Sequence, residues 1–404
     1  MKRLFVYIVA CCAAFLTASA QTGTPSSAFT DAFNPEVYGV TSLAIAPDAR
    51  AGSMGDMGVA TEADINSQYW NCAKYPWNVA RAGVGVSYTP WLRKIVSGIN
   101  LANIQGFYRI GDYSAISASL RYFGVGDVGI ADGNGNVVDE GFTFRPYELA
   151  IDVAYSRMLT RTFSMGIALR FILSDMNYSA EATSGKAFAA DISMYRQGYF
   201  MIGSRECSLA WGLSINNLGS KINMNNGQDN RADFLPTTLR LGLNMTIPFN
   251  QYNRLSFGVE AYKLCIPTKP IKGEKGHEGE TDEEYEIRLN EDYYSVSSIG
   301  GFFKSFGDAP GGFGEEFKEI RWSFGAEYNY NDRFMLRTGY HYESPSKGNR
   351  QYFTVGGGFH MSVFTVDAAY CIATNPGNPL DQTMRFTLGF DLDGMKDLFN
   401  RKRR

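Results

Sequence analysis

The residues with most scope for acid–base or metal chemistry are three histidines, His277, His341 and His360, and their spacing gives them little to work with. His277 sits in an acidic run, while His341 and His360 fall on two different strand-like segments with no serine or cysteine motif nearby. A nucleophile needs a base within reach, and that base needs a group to orient it. Lone histidines of this kind read as structural. The chain has six cysteines, two of them within the first 20 residues. Cys72, Cys207, Cys265 and Cys371 are scattered, without metal or redox spacing, and read as small buried apolar side chains. Gly356, Gly357 and Gly358 do not form a phosphate loop, because they lie mid-strand with no lysine and no following helix. Asp132, Gly133, Asn134, Gly135 and Asn136 begin like a calcium loop, but Val137 stands where glycine is needed and Thr143 where glutamate is needed. They read as a turn. The sequence therefore leads us to expect no enzyme, no metal and no cofactor.

What remains is the chemistry of apolar contact. Phe302, Phe303 and Phe306 recur at helix-like spacing and form a stripe, followed by a turn at Asp308, Ala309, Pro310, Gly311 and Gly312 and then by Phe313. Exposed apolar segments rest on their own scaffold or on a partner. Two readings follow for these four phenylalanines: contact with a partner or cargo, or simple loop packing.

The elements that position them announce themselves by composition. The chain has 404 residues, 45% of them hydrophobic and 20% charged, which excludes disorder. Aromatics reach 14% and there are 43 glycines, a mixture that suggests all-β architecture. A net charge of −3 gives no indication of nucleic acid as a partner. The one long apolar run, 4–20, follows Lys2 and Arg3 and ends in Ala18, Ser19 and Ala20. This is the pattern of an export signal over 1–20, cleaved so that the mature chain begins at Gln21 with a net charge of −5. A lipoprotein signal ending at Cys11 is the rival, and its apolar core would be very short.

From residue 82 onward the pattern is alternation with a period of two. Met384, Phe386, Leu388 and Phe390 share one face, with Arg385 and Thr387 on the other. Fourteen segments read this way: 82–89, 100–110, 113–123, 147–157, 162–173, 187–197, 207–216, 237–247, 255–264, 321–330, 334–343, 351–361, 363–373 and 383–391. Most have the length of a tilted strand crossing a bilayer, and none contains proline. Connections after even-numbered segments average about four residues, and those after odd-numbered ones about twenty. That asymmetry predicts a transmembrane antiparallel up-and-down β-barrel over 82–391 in the outer membrane, with tight periplasmic turns, long outer loops and both termini periplasmic. The apolar face must meet lipid, with Tyr88, Tyr108, Tyr122, Tyr328, Tyr340, Tyr342 and Tyr370 near strand ends as interfacial girdles. The other face carries Arg121, Asp152, Arg170, Asp191, Arg240, Glu260, Glu327, Arg337, Asp367 and Arg385. Such balance predicts a lumen of paired charges rather than an ion-selective pore.

Three segments lie outside this pattern. Residues 21–81 are rich in glycine and aromatics, and read either as a plug folded into the lumen or as a periplasmic cap or arm. The connection 265–320 is the long outer loop, and its acidic stretch 273–292 reads as a solvated face. The tail 392–404 ends in Arg401, Lys402, Arg403 and Arg404, and reads as a solvated periplasmic segment or one drawn to anionic headgroups.

Four stretches carry a family resemblance. They are IAPDARAGSMGDMGVATEADINSQYWN (45–71), SFGDAPGGFGEE (305–316), KGNRQYFTVGGG (347–358) and NPLDQTMRFTLGF (378–390). With these, the chain resembles the PorV (LptO) family over nearly its whole mature length, and the first stretch favours that family over the related PorQ barrels. Cys72 departs from the pattern, since relatives usually have proline there. The resemblance implies a barrel like those of the long-chain fatty acid transporters, with fourteen strands and an N-terminal plug. It also implies a role in the type IX secretion system: binding the SprA translocon, accepting cargo by its C-terminal signal domain, and delivering it to the sortase PorU, which attaches it to lipopolysaccharide. Outer-membrane lipid and lipopolysaccharide would be its surroundings. In this reading the chain is not itself the enzyme. A transporter of hydrophobic small molecules is the alternative.

Overall fold

The computed structural model describes residues 34–129, 143–176, 184–223, 231–269, 281–309, 312–375 and 378–394. The export segment, residues 21–33, the turn at 132–136, His277 and the tail from 395 lie outside them.

Fourteen strands form one closed barrel. In chain order they are β1 Ala82–Pro90, β2 Asn100–Ile110, β3 Ser114–Gly124, β4 Tyr147–Thr160, β5 Phe163–Asp175, β6 Gly185–Ile202 and β7 Arg205–Gly219, followed by β8 Thr238–Pro248, β9 Asn253–Leu264, β10 Arg321–Tyr330, β11 Phe334–Tyr342, β12 Tyr352–Met361, β13 Phe364–Ala373 and β14 Met384–Asp391. Each pairs antiparallel with its chain neighbours, and β1 pairs with β14, from Gly83 opposite Asp391 to Tyr88 opposite Phe386. Closure removes the edge that would otherwise leave backbone groups unpaired in lipid. Among the described residues no helix is long and apolar enough to cross a membrane.

All fourteen segments read from the alternation are strands, and the largest difference in extent falls at one hairpin. β6 and β7 run past the expected limits of 197 and 207 toward a turn at 203–204. Tyr199, Phe200, Met201 and Ile202 are all exposed, so this stretch has no single apolar face and no period to read. Connections after even strands are tight. The β10–β11 turn places Asn331 and Asp332 at φ 55° and 53°, the left-handed conformation that matches strand twist in a hairpin. The remaining connections are long, and one holds a short two-stranded ribbon, Val128–Gly129 with Thr143–Phe144.

The two faces differ as the period requires. Leu120, Ile151, Val153, Leu169, Leu241 and Leu336 point outward and are exposed. The ten charged residues expected inside are all buried. Packed against them are residues 34–81, which contain only short turns of helix, including α1 Ala49–Gly52 and α2 Ser67–Trp70. Ala49, Val59, Asn71, Lys74 and Tyr75 in that segment are fully buried. Two inward glycines show how close the approach is. A Cβ at Gly212 would collide with the Val59 carbonyl, and one at Gly339 with the backbone of Met54 and Gly55. Any side chain at either position would push the segment off the wall.

Candidate functional site

Buried ion pairs link the inward-facing residues of neighbouring strands. Arg170 bridges Asp152 and Asp191, the latter at 2.9 Å. Arg240 donates to Glu260 at 2.9 Å, and Arg337 joins Glu327 at 2.5 Å to Asp367 at 2.6 Å. Two of the expected basic residues do otherwise. Arg121 donates to the Ser42 and Ile45 carbonyls and stacks on the Tyr69 ring at 4.5 Å. Arg385 pairs with Asp56, from the segment before the barrel. From the same segment, Arg50 reaches Glu327 at 3.3 Å and Asp64 at 3.0 Å. Glu260 accepts the Gly58 and Val59 N–H groups at 2.8 and 2.9 Å. Asp48 accepts from Ala51 N and Trp70 Nε1, and burial together with the neighbouring Asp64 charge raises its pKa to about 6. Burial lowers Lys74 to about 8, where its Nζ donates to the Gly58 carbonyl. Removing one member of such a buried pair strands the other charge, which is why the lattice is satisfied almost throughout.

The wall is continuous. Its register slips between Ala190 and Ile192, opposite Asn217 at φ 59°. Asn217 N donates to Asp191 Oδ1 at 2.7 Å and its carbonyl accepts from Thr237 Oγ1 at 2.9 Å, so the irregular backbone is hydrogen-bonded there.

The four expected contact residues lie in the connection between β9 and β10, which holds α3 Asp282–Ser295, α4 Ser298–Lys304 and α5 Phe313–Lys318. Ser297 caps α4 by accepting from Gly300 N. Phe302 on α4 is half-buried and stacks edge-on against Phe303 at 5.3 Å and Phe306 at 5.7 Å. Phe303 is 70% exposed, Phe306 48% and Phe313 87%. The structure brings Phe306 and Phe313 to one groove and leaves Phe302 and Phe303 beside it. The groove encloses about 270 Å³ between the connection (Phe306, Phe313, Phe317, Ile320) and the barrel wall (Leu239, Leu241, Ala261). Phe317, 57% exposed, completes an i, i+4 pair with Phe313 that the FGEEF stretch already contained. The three wall residues belong to strands and carry no separate signal.

The connection is held to the rim by buried charge. Lys263 Nζ donates to Glu316 at 3.1 Å and to Glu319. Lys347, from the β11–β12 connection, donates to Glu319 at 2.9 Å and Glu315 at 2.6 Å. Burial works against the Lys347 charge, but these two carboxylates outweigh it and raise its pKa. The exposed phenylalanines thus stand on a fixed base. The acidic stretch expected to be a solvated face is in part the helix α3, opened by a capping box between Thr281 and Glu284.

His341 and His360 sit at opposite ends of the barrel: His341 opposite Tyr352 where β12 begins, His360 opposite Thr365 beside a tight turn. Among the described residues no group of three or more histidine, cysteine, aspartate or glutamate side chains is placed to hold a metal ion.

The family model described as "Type IX secretion system protein PorV" matches residues 33–271. No curated protein sequence matches the chain. Among solved structures, the Pseudomonas putida toluene transporter TodX is 10% identical, with 89% of this chain and 98% of that one covered at a TM-score of 0.49. A Pseudomonas aeruginosa FadL homologue is 12% identical, with 85% and 98% covered at a TM-score of 0.40.

Proposed function

Because the chain belongs to the PorV family of type IX secretion system proteins, we propose that it is the cargo-binding shuttle of that system in the outer membrane. It takes secreted proteins by their C-terminal signal domain from the SprA translocon and passes them to the PorU sortase. In this reading the long connections face outward and both termini lie in the periplasm, the usual arrangement for barrels with tight turns at one end.

The observation that carries the reading is the fixed apolar surface of the 265–320 connection. Phe303, Phe306, Phe313 and Phe317 are exposed together on a base anchored by Lys263 and Lys347. Burying each phenylalanine against a partner gains roughly 1.5–3 kcal/mol, and a few aromatic anchors dominate most protein contacts. Replacing Phe303, Phe306 and Phe313 with serine should sharply reduce recovery of translocon, sortase or cargo in affinity purification from the native membrane. Heat-modifiable gel mobility should stay normal, since the barrel strands are untouched. Undiminished recovery with normal mobility would sink the proposal.

Residues 34–81 act as a plug in this reading, which makes the barrel a binding protein rather than a pore. Their ion pairs with Glu327 and Arg385 support it. Removing 34–81 should raise single-channel conductance in planar bilayers. Conductance that stays near zero would reassign the segment as a cap.

A further inference from the structure

At the long-connection end of the lumen lies a cavity of about 150 Å³, bordered by members of the ion-pair lattice. Trp91, Arg350 and Leu380, from three of the long connections, line it together with Tyr38 from the segment before the barrel. About the same volume, in an engineered protein core, accepts one benzene-sized molecule.

The chemistry of its wall is one-sided. Three guanidinium groups line it, those of Arg240, Arg350 and Arg385, against one carboxylate, Asp56. Both Asp56 oxygens are taken, Oδ2 by Tyr352 Oη at 2.5 Å and by Arg385, Oδ1 by Arg385 alone. The Arg385 side chain is buried and its Nε has no acceptor among the described residues. Arg240 spends one Nη on Glu260, whose other oxygen is occupied by the Gly58 and Val59 N–H groups. Arg350 turns Nε and one Nη to Glu343. Each guanidinium thus has a carboxylate, the donor left over is Arg385 Nε, and an unsatisfied buried guanidinium donor favours an incoming anion.

The rest of the wall is flat and aromatic. The Arg240 guanidinium lies over the Tyr262 ring at 4.4 Å and the Trp70 ring at 5.1 Å. His341 stacks on Tyr352 at 4.8 Å with the rings 16° apart. Guanidinium pairs match a carboxylate in shape as well as charge, and stacked rings accept a planar body.

We propose that this cavity is a binding site for a small planar organic carboxylate, with Arg240 and Arg385 receiving the carboxylate and Tyr262, Trp70 and Tyr352 packing its body. The site is independent of the partner surface formed by the phenylalanines of the 265–320 connection.

The test uses the full chain folded in detergent and benzoate as the probe, read by tryptophan fluorescence, since Trp70 and Trp91 line the cavity. Benzoate should give saturable quenching. Benzyl alcohol, which lacks the charge, and acetate, which lacks the ring, should each bind at least about tenfold more weakly. Arg240→Gln, which also strands the buried Glu260 charge and should lower the heat threshold, should weaken benzoate by a similar factor at a temperature where its heat-modifiable mobility shows a folded barrel. Should that variant fail to fold, the benzyl alcohol comparison in the unmodified chain decides alone. Benzoate binding no better than benzyl alcohol, no saturable response at all, or full affinity in a folded Arg240→Gln chain would each overturn the site.

Discussion

Asp56 is held at φ 60° between Arg385 and Tyr352, a left-handed conformation that aspartate tolerates better than most residues. Asp56→Asn removes the charge and leaves the buried Arg385 guanidinium without a counter-ion. Breaking a buried pair this way costs roughly 3–5 kcal/mol, so the variant barrel should lose its heat-modifiable mobility at a clearly lower temperature than the parent. An unchanged transition would mean that Arg385 finds another acceptor. Glu343 gives a pH-dependent counterpart outside the strands. Burial opposes its ionisation, but Arg321 and Arg350 outweigh burial and hold its pKa down at about 2, against an ordinary 4.5. A depressed carboxyl stabilises the fold above its ordinary value, and that contribution is lost as pH falls from about 4.5 through about 2. Heat thresholds measured across that window should fall more steeply for the parent than for Glu343→Gln, which has already lost the charge. At this scale the sequence was legible where alternation applied: the pairing of Arg170, Arg240 and Arg337 follows from which residues share the inner face. It was silent about Arg50 and Asp56, because their segment has no period, and about Arg121, whose partners are carbonyls.

Strands were the easiest elements to read, since lipid on one side and ion pairs on the other impose opposite demands on successive residues. The exception is the end of β6, where both faces are exposed and the demand disappears. Helices α3 and α5 were harder, because neither buries a continuous face of its own. Thr281 with Glu284 was the available signal for α3, and the Phe313–Phe317 spacing for α5. What fixes the 265–320 connection is instead distant charge. Glu319 takes both Lys263, at the end of β9, and Lys347, in the β11–β12 connection. Glu319→Gln should therefore loosen the connection without touching the barrel. Limited proteolysis should cut between 281 and 318 several-fold faster in the variant, with parental gel mobility of the remaining barrel. Identical cleavage would show that Glu315 and Glu316 alone suffice.

For the molecule as a whole, residues 34–81 come before the barrel strands but have partners at the far end of them. Ala49 N donates to Thr387 Oγ1 across 338 residues of sequence, and Asp56 meets Arg385 across 329. Thr387 and Arg385 lie on β14, the strand whose pairing with β1 shuts the ring. Contacts of such long range are slow to form, because the intervening chain must be ordered before they are made. The segment's contacts and the closing β1–β14 pairs therefore share one strand. Seating and closure then form one kinetic event. Pulse proteolysis during refolding into micelles should show 34–81 and the β1–β14 seam becoming protected at the same rate, and two separate rates would refute this. The strand that closes the ring thus acts as a timer. Until β14 arrives, the charges of residues 48–64 stay in water and the nascent barrel stays open, so a chain cut short before that strand leaves a half-wrapped sheet that proteases can recognise.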